Sequence, residues 1–173
     1  TEDGGETWTK TLGDDEWTGV TDIVMDPRNP DVLYAATWQH HRTVAAYMGG
    51  GPNSGLHKSV DGGKSWQALS NGLPKGNMGK IGLAISPQNP DIVYAAIELD
   101  RREGGVWRSD NRGASWTKGA DAVGGGTGPH YYQEIVASPH HFERLYLVGP
   151  TVQVSHDGGK TFERMRLNFL HFA

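Results

Sequence analysis

The chain has 173 residues, a formal net charge of −4 and no cysteine. This length suits one ordinary domain, the mildly acidic charge provides no basic surface for nucleic acid, and the absence of cysteine excludes disulfides and thiol catalysis. No apolar run approaches the ~20 residues that a membrane-spanning helix needs. Twenty-five glycines, nine prolines and a charged fraction of 21% are typical of a turn-rich all-β protein.

One short motif occurs four times, at spacings of 58, 50 and 46 residues. It contains a hydroxyl residue, Asp or Asn, Gly, a second hydroxyl residue and an aromatic residue, and Asp-Gly favours a tight turn between antiparallel strands. We expect the Asp or Asn to hold the turn and the aromatic ring to pack between neighbouring sheets. These residues are Asp3 and Trp8, Asp61 and Trp66, Asn111 and Trp116, and Asp157 and Phe162.

A second pattern precedes the last three copies of the motif, at 22–36, 82–96 and 134–148, and the three segments align without a gap. It consists of an apolar strand, a turn with proline, and a strand rich in β-branched and aromatic residues. Together the two patterns predict four short strands per unit, and four-stranded antiparallel units of roughly 40–50 residues in series describe an all-β propeller.

In chain order, the sequence predicts the last hairpin of a preceding blade, three complete blades and the start of a further blade. Their bounds are 1–12, then 17–69, 78–118 and 129–165, then 166–173. Propellers close with roughly 4–8 blades, so about three and a half blades do not make a ring. We therefore expect one propeller domain, present as an open segment of a longer chain. The alternative is that two or more copies close a ring together.

The four motifs resemble Asp-boxes, and the chain is similar to Asp-box (BNR-repeat) β-propellers. The Pro-x-Asn-Pro-x-x-x-Tyr-Ala-Ala strand pair and the stretch 54–66 are most similar to sortilin-like (Vps10-type) propellers. Their exported bacterial relatives often carry the name glycosyl hydrolase. The resemblance implies an extracytoplasmic location, whether secreted, periplasmic or on the cell surface. It implies no single activity, because Asp-box propellers include sialidases, xyloglucanases, receptors and assembly factors.

The long loops 37–55, 97–105 and 119–132 are expected on one face of the propeller, opposite the motif turns. Long ordered loops tend to be functional, and aromatic rings beside arginine suit a sugar or peptide ligand. The expected ligand-binding residues are Trp38, His40, Arg42, Tyr47, Arg101, His130, Tyr131 and Tyr132. The main interpretation is therefore a non-catalytic propeller that recognises a peptide, protein or glycan. The alternative is that these loops form an ordinary solvent-exposed rim and bind no ligand.

A glycoside hydrolase is the rival function, and it needs two carboxyl groups roughly 5–9.5 Å apart. The weak candidates are Asp22, Glu98 and Glu134, although acids that line a water-filled channel are the preferred explanation for them. Xyloglucanase-type relatives carry an acid just after the second strand, where this chain has Trp38 in one blade and Glu98 in the next. The sialidase set of three arginines and a Tyr/Glu pair has no counterpart. Catalytic acids would therefore lie partly outside this segment.

A third interpretation is a structural subunit of a larger assembly. No pattern in the sequence calls for a cofactor or a metal, because the adjacent histidines at 40–41 and 140–141 would point to opposite sides of a strand. The expected partners are a ligand on the long loops and the remaining blades, in the same longer chain or in a complex.

Overall fold

The computed structural model describes residues 1–13, 15–99, 103–122, 133–149 and 151–165. All of the regular structure in these residues is β-strand. The first sheet contains β1 (Thr18–Met25), β2 (Leu33–Gln39), β5 (Gly55–Ser59) and β6 (Gln67–Leu69), with a small hairpin of β3 (His41–Arg42) and β4 (Tyr47–Met48) between β2 and β5. The second contains β7 (Ile81–Ile85), β8 (Val93–Glu98), β9 (Gly104–Ser109) and β10 (Thr117–Lys118). The third contains β11 (Glu134–Ala137), β12 (Leu145–Val148), β13 (Gln153–Ser155) and β14 (Glu163–Arg164).

Each sheet is antiparallel, and its strands follow one another in chain order apart from the small hairpin. This confirms the predicted all-β architecture of four-stranded units. The segment 166–173, expected to begin a further blade, lies outside the described residues. Among the residues that the structure does describe, we find no helix with the length and apolar character to cross a membrane.

The first strands of the three sheets, β1, β7 and β11, lie side by side. Their approach is close, because an ideal Cβ on Gly82 of β7 would lie 1.5 Å from the Gln133 carbonyl oxygen. Only glycine permits this contact. The close packing places the inner strands around a common axis, as expected for blades of one propeller.

Two apolar clusters fill the spaces between the sheets. In β8, Val93, Ala95 and Ile97 contact the first sheet, whereas Tyr94 and Ala96 contact the third. Successive strand residues point to opposite faces, so a strand covered on both faces is apolar along its whole length. This explains why the second strands read as uninterrupted hydrophobic runs.

The repeated motif forms the same hydrogen-bonded turn in each copy. In the copy at 59–66, the Asp61 carboxylate accepts bonds from the Ser59 hydroxyl at 2.7 Å, the Ser65 amide at 2.9 Å and the Ser65 hydroxyl at 2.6 Å. The bond from the Ser65 hydroxyl is the main reason that the pKa of Asp61 falls to about 2. Gly63 has a φ of 86°, which is open to glycine at little cost. The carboxylate thus stabilises the turn in which it lies.

The aromatic residues of the motif differ in their packing. Trp116 is 4% exposed within the cluster between the first and second sheets, and Phe162 packs against the cluster between the second and third. The Trp66 indole donates to the Thr11 hydroxyl at 3.2 Å. Trp8 is 79% exposed, so the expectation that its ring packs between sheets is wrong. The physical reason is that residues 1–12, expected to be the last hairpin of a preceding blade, form the motif turn but no strand, and no sheet among the described residues covers the ring.

Candidate functional site on the long-loop face

Backbone hydrogen bonds define the two faces of the segment. The motif turns donate hydrogen bonds to the proline turns; for example, the Gly62 amide donates to the Asp31 carbonyl at 3.0 Å. We call the side of the segment that these turns form the turn face. On the opposite side, the end of the second strand of a sheet is hydrogen-bonded to the residue that precedes its first strand. In the second sheet, the Glu98 amide donates to the Lys80 carbonyl at 3.2 Å. The loop 37–55 opens on this second side, which we call the long-loop face.

Five rings gather on this face around the small hairpin, and we call them the aromatic cluster. The Trp17 and His41 rings stack with centroids 4.6 Å apart. The Trp38 and His40 rings lie 4.3 Å apart, and the Tyr47 ring meets His40 edge-on at 5.5 Å. Offset and edge-on arrangements of this kind are the favoured geometries for aromatic pairs. The cluster therefore holds the hairpin in one arrangement.

Exposure divides the aromatic cluster into supporting and solvent-facing rings. Trp38 is 7% exposed, and its indole donates to the Gly49 carbonyl at 2.9 Å. This corrects the expectation that Trp38 faces a ligand, since the hairpin covers its ring. Tyr47 and Trp17 are 46% and 45% exposed and remain open to a ligand. Sequence reasoning missed Trp17 because it precedes the first strand and lies in no long loop.

Charge on this surface comes from Arg42, whose guanidinium lies 5.8 Å from the centroid of the Tyr47 ring. Burial, and then the charge of Arg42, lower the pKa of His40, so this imidazole is neutral at pH 7. Aromatic rings beside a guanidinium group suit a ligand with apolar faces and hydroxyl groups.

The three candidate acids surround one lysine that sequence reasoning missed, and we call Asp22, Lys80, Glu98 and Glu134 the Lys80 cluster. The Lys80 ammonium bonds to Glu134 Oε1 at 2.7 Å, and its charge also favours the ionised forms of Asp22 and Glu98. A lysine just before a strand is usually a solvated surface residue, so only the fold reveals this position.

Asp22 and Glu134 occupy matching positions on β1 and β11, and Gly82 occupies that position on β7 between them. The Gln133 backbone packs directly against Gly82, and this close approach of the strands lets the charge of Glu134 act on Asp22. Burial raises the pKa of Asp22, the Leu83 amide opposes this through a bond of 2.7 Å to Oδ2, and the charge of Glu134 raises it further.

Glu98 has the most perturbed carboxyl group in the Lys80 cluster. Its side chain is 3% exposed, and its Oε2 atom has no hydrogen-bond partner among the described residues. Burial raises the pKa of Glu98 to about 7, and the amide and ammonium of Lys80 offset only part of this effect. Near neutral pH this carboxyl group carries a proton for part of the time.

Backbone bonds connect the two clusters. The Gly51 amide donates to the Met78 carbonyl at 3.2 Å, and the Gly79 amide donates to the Glu98 carbonyl at 2.7 Å. The long loop therefore rests on the segment that holds Glu98 and Lys80. Of the other expected ligand-binding residues, Arg101, His130, Tyr131 and Tyr132 lie outside the described residues.

No family model matches the chain. A xyloglucanase of Paenibacillus sp is 30% identical over 124 residues, which are 65% of this chain and 11% of that protein. A xyloglucanase of Hypocrea jecorina (strain QM6a) is 26% identical over 165 residues, which are 84% of this chain and 17% of that protein. The chain thus spans less than a fifth of the length of the curated relatives it matches.

Solved structures decide the fold. The GH74 xyloglucanase from Xanthomonas campestris superposes with a TM-score of 0.58 at 24% identity, over 88% of this chain and 24% of that chain. YCF48 bound to D1 peptide superposes with a TM-score of 0.55 at 12% identity, over 90% of this chain and 45% of that chain. The chain is an open segment of a β-propeller. Identities this low carry the fold and no activity.

Proposed function

We propose that this chain is part of a glycoside hydrolase built on an Asp-box β-propeller, and that its long-loop face binds a polysaccharide of the xyloglucan class. The observation that carries the proposal is the Lys80 cluster, in which Glu134 bonds to the Lys80 ammonium and the same charge acts on the buried Glu98 carboxyl group. Backbone bonds connect this cluster to the loop that carries the exposed ring of Tyr47. The xyloglucanase names of the curated relatives support the same class of substrate.

Glu98 is the proposed general acid. Hydrolysis of a glycosidic bond needs a carboxyl group that protonates the leaving oxygen, and a raised pKa keeps the proton available. Glu98 Oε2 has no competing hydrogen-bond partner among the described residues, but it is buried, so the glycosidic oxygen reaches this proton only when the covering segment moves aside. The C–O bond breaks, and water supplies a hydroxyl group to the anomeric carbon and a proton to a carboxylate.

Glu134 is the candidate carboxylate within this chain. Its side chain is 54% exposed and bonded to Lys80, so it meets solvent while its charge is stabilised. Asp22 lies beside it, with Oδ2 held by the Leu83 amide at 2.7 Å. A catalytic carboxylate outside this segment remains part of the proposal, because the relatives are several times longer than the chain.

The aromatic cluster is the proposed sugar-binding surface. The exposed faces of Trp17 and Tyr47 suit the apolar faces of sugar rings, while Arg42 and His40 supply hydrogen-bonding groups beside them. Trp38 then has a supporting role.

The test is xyloglucan hydrolysis by the full-length protein and two amide variants, measured as the release of reducing ends. Glu98→Gln removes the acidic proton but keeps the shape of the side chain, and we expect a loss of about 10²–10⁴ in kcat. Glu163→Gln is the matched control, because Glu163 lies on the outermost strand of the third sheet. If Glu98→Gln retains the wild-type kcat, Glu98 is not the acid. If the wild type hydrolyses no glucan at all, the hydrolase proposal fails.

Non-catalytic recognition of a peptide, protein or glycan is the second candidate. Glu98 is only 3% exposed, whereas Trp17 and Tyr47 are well exposed. A surface that only binds a ligand needs exposed rings but no accessible acid, so this difference favours recognition without catalysis. The YCF48 propeller bound to D1 peptide shows that this fold can present a peptide-binding surface. Ligand binding to the long-loop face of the wild type without turnover would select this candidate.

We also propose a family, a location and a set of blades for this chain. The turn bonds in the four motifs support membership of the Asp-box propellers, and the sequence resemblance to sortilin-like relatives supports an extracytoplasmic location. We assign one blade each to 17–69, 78–118 and 129–165, and we propose that further blades of the same protein or complex complete the ring.

A further inference from the structure

A pocket of about 330 Å³ lies between the first and second sheets. Its walls come from β5, β6 and the motif turn of the second sheet, so both sides of the pocket belong to the described residues. None of the residues that line it is acidic, and two of them are the cations Lys58 and Arg112. Lys58 directly precedes one motif turn and Arg112 lies within another, so the pocket is on the turn side, away from the long-loop face.

Both cations are accessible from the gap between the two sheets. Lys58 stands opposite Tyr34 in the β2–β5 pair, and its ammonium lies 5.3 Å from the centroid of the Tyr34 ring. Tyr34 belongs to the apolar cluster between the first and second sheets, so this side of the first sheet faces the second sheet. Lys58 is partly exposed, and the side chain of Arg112 is 45% exposed. A ligand in the pocket can therefore reach both charges.

The next sheet shows what normally accompanies a cation at this position. Arg108 occupies the place of Lys58 and stands opposite Tyr94. Its guanidinium pairs with the carboxylates of Asp110 at 2.7 Å and Glu143 at 2.8 Å. In the second sheet, the chain itself thus neutralises this cation.

Lys58 lacks both carboxylate partners. Val60 stands where the second sheet has Asp110. Asp91 matches the other carboxylate in the repeat, but it bonds to Arg28 at 2.8 Å. Among the described residues, Lys58 therefore forms no ion pair, and the place of one carboxylate is open.

The two cations also disfavour each other. The Lys58 ammonium donates to the Arg112 carbonyl at 2.7 Å, which leaves further N–H donors for a ligand. Burial, and then the charge of Arg112, lower the pKa of Lys58, and Asp26 opposes this only in part. The Asp26 carboxylate is sealed from solvent and bonded to Arg28. A bound anion would relieve the unfavourable charge at Lys58.

The remaining walls indicate the size and polarity of the ligand. Gln67, Ser70 and Asn71 are exposed and offer hydrogen-bonding side chains, and Leu69 adds apolar surface. The volume falls within the roughly 300–1,000 Å³ range of small-molecule sites and has room for more than an inorganic anion. The pocket therefore suits a carboxylate that is carried on a hydroxylated ring.

We propose that this pocket binds a uronic acid residue, whose carboxylate pairs with Lys58 and Arg112 in the place that Asp110 fills beside Arg108. The hydroxyl groups of the sugar meet the amide and hydroxyl side chains of the walls. The ligand is either a free uronate or one unit of an acidic polysaccharide. This binding goes beyond the proposed hydrolysis and does not require it, because the pocket shares no residue with the Lys80 cluster or the aromatic cluster.

The experiment titrates the full-length protein with D-galacturonate, D-galactose, inorganic phosphate and tetragalacturonate by calorimetry at pH 7. Galacturonate should bind roughly tenfold or more tightly than galactose, because only the uronate carries a carboxylate for charge-assisted hydrogen bonds. A further gain for tetragalacturonate identifies a polysaccharide as the source, and no gain identifies the free sugar. Equal affinities for galacturonate and galactose, or for galacturonate and phosphate, would overturn the proposal.

Val60→Asp and Val60→Asn are the matched variants, and both should fold because Val60 is 68% exposed. Val60→Asp gives Lys58 the internal carboxylate that the second sheet has, so galacturonate binding should weaken roughly tenfold or more. Val60→Asn has the same shape without the charge and should keep an affinity close to that of the wild type. Wild-type affinity in Val60→Asp, or equal losses in the two variants, would overturn the proposal. Binding that is lost in Arg42→Gln but retained in Val60→Asp would place the uronate on the long-loop face and would also overturn it.

Discussion

Trp38 and Glu98 occupy equivalent positions near the ends of β2 and β8, and both side chains are buried, with exposures of 7% and 3%. In the first sheet this position carries a ring that supports the aromatic hairpin. In the second sheet it carries a carboxyl group next to Lys80. The same backbone position therefore stabilises a loop in one blade and carries a titratable group in the next.

The first prediction concerns the pH dependence of stability at Glu98. Its folded-state pKa of about 7 lies above the ordinary value of 4.5, so the folded protein holds this proton more tightly than the unfolded chain does. The free energy of unfolding should therefore fall as the pH rises from about 4.5 to about 7. Glu98→Gln cannot ionise and should be more stable than the wild type at pH 8, by roughly 1–2 kcal/mol after allowance for solvent screening.

Urea denaturation at pH 4.5 and pH 8 measures this effect. The difference in unfolding free energy between Glu98→Gln and the wild type should shrink at the lower pH. A difference that stays constant across this range would show that Glu98 titrates normally.

The second prediction concerns acid unfolding through Asp26. Its buried carboxylate accepts bonds from Arg28 Nε at 3.0 Å and Nη2 at 2.8 Å, and chiefly for this reason its pKa falls from 3.8 to about 2. A lowered pKa gives stability above pH 3.8 that is lost as the pH falls toward 2. Asp26→Asn should therefore flatten the stability profile between these values. Urea denaturation between pH 2 and pH 5 provides the measurement, and an unchanged slope would contradict the account.

The repeats made the fold predictable from the sequence, whereas the candidate site was predictable only in part. Three segments that align without a gap carry the same strand alternation, so strand positions follow from local patterns. The cluster of Asp22, Glu98 and Glu134 around Lys80 depends on contacts between residues far apart in the chain, such as Lys80 and Glu134, which are 54 positions apart. Such contacts leave no local pattern, and the same holds for the burial of Trp38 under its hairpin.

The third prediction compares two copies of the same motif residue. Trp116 is 4% exposed in the core between two sheets, and Trp8 is 79% exposed. Trp116→Ala should lower the free energy of unfolding by about 3–5 kcal/mol through lost burial and a cavity. In the 173-residue segment, Trp8→Ala should change it by no more than about 0.5 kcal/mol. Chemical denaturation of both variants tests this, and similar losses would contradict the packing described above.

The fourth prediction concerns Arg112, which has a φ of 59° where two other copies of the turn have Gly62 and Gly158 at 71°. Its carbonyl accepts bonds from the Tyr34 hydroxyl at 2.9 Å and the Lys58 ammonium at 2.7 Å, which hold this conformation. Both Arg112→Gly and Arg112→Ala lose the ion pair with Asp26, but only alanine retains the backbone strain.

Arg112→Gly should therefore be more stable than Arg112→Ala by about 1 kcal/mol. Thermal unfolding of the two variants under identical conditions gives the comparison. Equal stability of the glycine and alanine variants would show that the turn relaxes and that the positive φ carries no cost.

The most direct test of the central claim is a crystal structure of the full-length Glu98→Gln protein with a bound gluco-oligosaccharide. The account predicts sugar rings against Trp17 or Tyr47 and a glycosidic oxygen within hydrogen-bond distance of the side chain at position 98. An oligosaccharide bound only on the turn face, near Asp61 or Asp157, would contradict it. A sugar on the long-loop face that leaves position 98 sealed by protein would also contradict the proposed catalytic role.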